Sequence, residues 1–377
     1  MINPNENDVK WLGQVWPKVC AKMEGQLARV GTEIPYTVIN GKRIDKTGEG
    51  VYWWTNGFWP GMLWLMYSDT KNEKYRSTAE KLNEKFDAAL AGYEGLHHDL
   101  GFMWTLTAKL DYLLTGNKQS RVRALHAANL LAGRYNPRGH FIRAWNSDRT
   151  GWIIIDCMMN VPLLYWASEE IKDPRFNMIA QNHAHTTMDI LVRPDGSCNH
   201  IAILSPELGD CLETPGGQGF ASGSSWSRGQ SWGLYGFALS FRHTGEKKYL
   251  DTAKKIAHYV MANFSKNDWL PLVDFRAPAQ PVKYDSTAAM ISAAGLLEIA
   301  GHVGEFEEAL YFEAAIKLLK TCEKAFANWD TETDGIIGKG TGSYHGGPND
   351  TEVPIIYGDY FFTECVLRLL GKHFLIW

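Results

Sequence analysis

The sequence predicts an all-α protein: a closed ring of six helical hairpins, built as one domain over residues 1–377. Three observations carry that prediction. A weak repeat recurs along the chain, a polar turn followed by an amphipathic helix. Between its copies lie more hydrophobic helices, entered through Gly/Trp-rich loops. Long β-type alternation is scarce, apart from short stretches such as 198–204. A doubly wound sheet would instead alternate strands with helices. An α-solenoid is the rival, but functional-looking loops that always precede the inner helices favour a closed ring with one working face.

The outer helices follow recognisable turns. Residues 68–75 lead into a helical Ala/Leu pattern over 79–90, residues 172–176 into 178–191, and residues 243–249 into 253–264. Thr115-Gly116-Asn117 before 124–131 and Gly304-Glu305 before 309–326 are degenerate copies. Each combines polar cap residues with apolar positions three and four apart. The inner helices are expected over 57–67, 101–114, 153–168, 229–242, 286–300 and 357–370. No Pro/Ser-rich linker divides the chain.

Composition narrows the function. The 377 residues carry 38 Lys+Arg against 42 Asp+Glu, a net charge of −4, and are 45% hydrophobic and 21% charged. That is the balance of a soluble globular protein, not a disordered one. It also lacks the basic excess a nucleic-acid binder needs to displace counterions. No apolar run approaches the roughly 18 residues that cross a bilayer, so no membrane partner is expected. The polar start of the chain shows no secretory pattern. Six scattered cysteines without a CxxC pair read as reduced thiols, which points to the cytoplasm. The aromatic content is high, with 15 Trp, 16 Tyr and 16 Phe. Tryptophans beside Gly, Asn and Asp in loops offer flat apolar faces near polar groups, as sugar clefts do.

Four loops at inner-helix starts gather this chemistry: 53–61, 96–102, 145–157 and 216–232. Asp156 follows Trp152-Ile153-Ile154-Ile155, where desolvation disfavours a charge. A carboxyl kept partly protonated can serve as a general acid, and an N-cap is an equally good account of it. Asp99, after His97-His98 and before Gly101-Phe102, reads as an N-cap or as the second carboxylate of a sugar-cleaving pair. Adjacent histidines point different ways, so no metal is expected. Gly216-Gly217-Gln218-Gly219 lacks the ending of a phosphate loop. Arg228, between Trp226 and Trp232, suits either a cation–π prop or a bidentate clamp on a substrate carboxylate. The flanking serines favour the clamp.

These motifs together resemble the unsaturated glucuronyl hydrolases, which are (α/α)6-barrel enzymes. The resemblance runs from Trp53 to Leu370 through Trp54-Thr55-Asn56-Gly57-Phe58-Trp59, His97-His98-Asp99-Leu100-Gly101-Phe102, Ile153-Ile154-Ile155-Asp156-Cys157, Ser225-Trp226-Ser227-Arg228-Gly229-Gln230-Ser231-Trp232-Gly233 and Tyr357-Gly358-Asp359-Tyr360. It implies release of the 4,5-unsaturated uronic acid that polysaccharide lyases leave at a non-reducing end, by hydration of the C4=C5 bond. Asp156 would be the acid/base and Asp99 its partner. Trp54, Trp145, His200, Gln218, Arg228 and Trp232 would bind the sugar. The implied partners are unsaturated chondroitin, hyaluronan or heparin disaccharides, met by a monomer with no cofactor. The sister rhamnogalacturonyl hydrolases, an (α/α)6 sugar isomerase and a non-catalytic sugar-binding module are the competing readings. Asn56 stands where the family often has Asp. The 338–347 loop suits contact with a sulfate on the adjoining amino sugar, or plain solvation.

Overall fold

The polar turns and apolar runs fold as alternating outer and inner helices. The computed structural model describes residues 4–372, 374, 376 and 377. The outer helices are α1 (Glu6–Val30), α3 (Glu73–Lys85), α5 (Lys118–Ala132), α7 (Pro174–Leu191), α9 (Lys247–Ser265) and α11 (Glu305–Phe326). The inner ones are α2 (Phe58–Thr70), α4, α6 (Pro162–Ile171), α8 (Ser227–Thr244), α10 (Ser286–Ala300) and α12 (Ile356–Leu369). Helix α4 runs from Leu100–Trp104 through a π-helical Thr105–Lys109 into Leu110–Thr115.

The repeat's turn has a physical basis. Inner helices α2, α4, α6 and α8 end on a left-handed residue: Lys71, Gly116, Lys172 and Gly245. That conformation stops the helix and reverses the chain. Asn72, Asn117 and Asp173 then accept backbone N–H bonds at the starts of α3, α5 and α7. Every residue of α10 is buried, whereas α9 buries one stripe, including Tyr249, Ile256, Val260 and Phe264. Burial on all sides belongs to an inner wall, and one buried stripe to an outer wall.

Consecutive inner helices pack side by side, and α12 returns to α2, so the ring closes as an (α/α)6 barrel. Sequence repeats locate five outer helices; the sixth is α1, which lies against α12. The core runs continuously from Leu12 to Trp377. Short strands decorate the rim: Pro35–Ile39 pairs with Lys42–Asp45, and Ile201–Leu204 lies between Trp152–Ile154 and Cys211–Glu213. The six cysteines are free thiols. Among the described residues, no helix is long and apolar enough to cross a membrane.

Candidate active site

The loops entering the inner helices converge on one pocket of about 270 Å³. Asp99, Asp156, Trp54, Trp145, Gln218 and Arg228 all line it. Larger grooves beside α11 have walls such as Phe312, Ile316 and Leu310, and neither gathers a pair of buried carboxylates.

Neither carboxylate is an N-cap. The strand Trp152–Ile154 delivers the chain in extended form into a single 3₁₀ turn, Ile155–Met159, and Asp156 makes no capping bond there. It is 8% exposed, and its Oδ1 has no hydrogen-bond partner. His200 faces it, with Nε2 3.5 Å from that oxygen. The His200 ring accepts the Gln218 backbone N–H at Nδ1 (2.9 Å), so a neutral ring carries its proton on Nε2, toward Asp156. Trp226 tilts against the other side of the ring at 4.3 Å.

Asp99 occupies the cap position of α4 without capping it. Its carboxylate sits between two imidazoles instead: Nδ1 of His97 is 3.2 Å from Oδ2, though not aligned as a hydrogen bond, and Nε2 of His98 is 3.3 Å from Oδ1. Asn160 Nδ2 donates to Asp99 Oδ1 (3.2 Å) and to the Asp156 backbone carbonyl (3.3 Å), tying the two acids together. Burial pushes Asp99 upward, but the two histidines and the Asn160 amide outweigh it and hold the carboxyl below its usual range. His97, His98 and Asp99 are also the one group among the described residues spaced to hold a metal ion. The two adjacent rings thus converge on one carboxylate, where the sequence suggested that they point apart.

The surrounding rings are arranged as a sugar would require. Trp54 is half-buried, with Tyr357 at 5.1 Å and Phe102 at 5.4 Å behind it. Trp145, also half-buried, meets His98 edge-on at 5.8 Å. A model of Glycosyl Hydrolase Family 88 matches residues 28–267. The chain belongs to glycoside hydrolase family 88. It is 38% identical over 325 residues to an unsaturated glucuronyl hydrolase of Bacillus sp. (strain GL1), covering 84% of this chain and 86% of that one. An unsaturated chondroitin disaccharide hydrolase of Streptococcus pneumoniae is 32% identical, with 86% and 83% covered. The crystal structure of the Bacillus sp. GL1 unsaturated glucuronyl hydrolase superposes with a TM-score of 0.90 at 34% identity, over 95% and 96% of the two chains.

Three expectations for this family 88 enzyme need correction. His200 is 6% exposed and absent from the pocket wall, its ring nitrogens facing Asp156 and the Gln218 N–H. Trp232 is 0% exposed and also absent from the wall. It stands edge-on behind Trp54 and packs on Phe102 and Phe361, because α8 turns that face into the barrel core. Arg228 does line the pocket, but its guanidinium is 1% exposed and already bound. Its terminal nitrogens pair with Asp285 at 3.1 Å and donate to Thr287 and to the carbonyls of Thr341 and Gly342, its Nε has no partner, and the group stacks on Trp226 and Tyr357. The cation–π prop is therefore its role in the structure.

The remaining positions divide between those the sequence singled out and those it did not. Asn56 is buried and outside the pocket, its amide directed at the Gly50 carbonyl. Within the 338–347 loop, Gly342 and Ser343 reach the pocket, while Lys339 turns away to Glu352 at 2.8 Å. Gln218 holds this loop by donating to the Gly342 carbonyl (2.6 Å) and accepting the Tyr344 N–H. Tyr36, Trp53 and Asp350 complete the wall. No motif marked Tyr36 or Asp350. An exposed Trp53 in an aromatic loop was the available signal for the third.

Proposed function

We propose that this family 88 enzyme removes the 4,5-unsaturated uronic acid from lyase-generated glycosaminoglycan disaccharides by hydrating its C4=C5 bond. The observation that carries the reading is the asymmetry of the two acids. Asp99 is locked as a carboxylate by His97, His98 and Asn160, while Asp156 presents a buried oxygen with no partner. Two carboxyls in such different surroundings take different roles.

In this reading Asp156 delivers its proton to C4, and positive charge develops at C5, shared with the ring oxygen. Asp156, now a carboxylate, takes a proton from the water that adds at C5. The product is a hemiketal at C5. Its ring opens to a ketone, leaving a hemiacetal at C1 that expels the rest of the sugar and becomes an aldehyde. Asp99 binds substrate hydroxyls and, through Asn160, fixes the backbone that carries Asp156. Trp54 and Trp145 cover the sugar faces, Gln218 supplies a directed donor, and His200 faces Asp156 from behind.

Heavy water and ¹⁸O-water test the route. The opened product should carry deuterium at C4 and solvent oxygen at C5. Solvent oxygen at the anomeric carbon instead would mean ordinary displacement and overturn the reading. Asp156→Asn keeps shape but cannot cycle a proton, so kcat should fall by at least ~10²-fold while substrate still binds.

A further inference from the structure

The pocket has a deep end and a mouth with different electrostatics. Asp99 and Asp156 are 7% and 8% exposed, whereas Trp53 is 41% exposed and Asp350 and Ser343 are half-buried. A terminal uronate must reach the deep acids to react, which leaves the adjoining sugar against the mouth. Asp350 is fixed there. Its Oδ1 accepts the Tyr36 hydroxyl at 2.8 Å, and its carboxylate is tucked over the Cα of Gly342, where any side chain would collide with it. Tyr36 in turn packs edge-on to Trp53 at 6.1 Å.

Carboxylates outnumber permanent cations on the described pocket wall. Three carboxylates line it against one arginine, Arg228, whose guanidinium pairs with Asp285 and whose charge also acts on Asp350. On the loop side, Lys339 is paired with Glu352, and Lys283 donates to the Tyr344 carbonyl at 2.7 Å. Lys46 stands over the Tyr36 ring, 5.7 Å from its centroid.

We propose that Asp350, positioned by Tyr36, is a specificity-determining residue that selects the adjoining sugar by charge, favouring a neutral N-acetyl or a cationic free-amine hexosamine over a sulfated one. This rests on the unsaturated-uronyl reading of the same pocket. A like charge beside a fixed carboxylate at a partly desolvated mouth is strongly disfavoured, and salt weakens the effect.

The test is kcat/KM for three unsaturated disaccharides whose hexosamine is N-acetylated, free-amine or 6-O-sulfated, followed by loss of the conjugated-uronate absorbance. At low salt the sulfated substrate should be at least ~10-fold poorer than the N-acetylated one, and added NaCl should narrow that gap. Asp350→Asn should narrow it at least ~5-fold, and Asp350→Glu should retain it. Equal wild-type values, or a ratio unmoved by Asp350→Asn while Asp350→Glu remains active, overturn the proposal. Failure to consume any of the three overturns the uronyl reading itself. Activity without a charge ordering sinks only the role of Asp350.

Discussion

Asn160 joins the two acids. Its Nδ2 donates to the Asp99 carboxylate and to the Asp156 carbonyl, while its Oδ1 accepts the Phe102 N–H at 2.7 Å. Asn160→Leu keeps most of the volume and removes all three bonds. The folded pKa of Asp99 is depressed, so its contribution to stability is present above the ordinary carboxylate range and lost as pH falls through the folded value. Without the Asn160 donor that pKa rises. The acidic limb of the kcat/KM profile should move to higher pH, and acid unfolding should begin at higher pH; an unmoved limb in a folded variant would show that Asp99 is not tuned this way. The stranded Phe102 N–H adds roughly 1–3 kcal/mol of destabilisation. Asp99 and Asp156 were legible in the sequence because carboxylates amid Ile and Phe need a reason to be there. Asn160 was not, since an amide after two methionines signals nothing, and Tyr36 and Asp350 are joined only by the fold.

At the scale of elements, the site depends on backbones that approach without side chains between them. A Cβ at Gly101 on α4 would meet the Asn160 backbone well inside van der Waals contact, and one at Gly57 would meet the Phe102 carbonyl. These glycines let the loops bearing Trp54, Asp99 and Asp156 crowd around one point. Gly101→Ala must spread that cluster. Overpacking of this kind costs about 1–3 kcal/mol, read as a lower melting temperature. The displaced Asp99–Asn160–Asp156 chain should also lower kcat more than it raises KM; an unchanged kcat would separate the close approach from catalysis. Periodicity made the inner helices and five outer ones legible, because burial on one face or all faces is written directly into residue spacing. Helix α1 escaped: it lacks the repeat's turn and carries Pro17 inside it, which sequence rules treat as a break. The left-handed ends and Asx caps explain why the hairpin turns were nevertheless recognisable.

For the whole molecule, closure of the ring matters at both ends. Near the pocket, Arg43 from the Lys42–Asp45 strand forms a buried ion pair with Asp359 of α12, whose carboxylate also accepts the Ile336 and Ile337 N–H groups. Elsewhere in the barrel the chain's final residues are bound into the core: the Trp377 ring stacks on Phe361 at 5.9 Å, and its carbonyl accepts from Arg242. Lys109 of α4 holds the same segment, donating to the Ile376 carbonyl at 2.6 Å while only 3% exposed. Burial, reinforced by Arg242 and opposed by Glu169, pulls the Lys109 amine down to about 7. An unfolded lysine keeps its proton to roughly pH 10.4. Between those values the unfolded chain binds more protons than the folded one, so stability should rise with pH, by up to roughly 1.4 kcal/mol per unit. Below pH 7 both states are charged and the full penalty of burying that charge applies. Lys109→Met has similar length and no proton to lose, so its melting temperature relative to wild type should be highest at pH 6–7 and decline steadily toward pH 9. The lost bond to Ile376 lowers the variant by the same amount at every pH, which shifts the difference curve without changing its slope. Parallel melting profiles for the two proteins from pH 6 to 9 would mean that Lys109 is not buried as a strained cation.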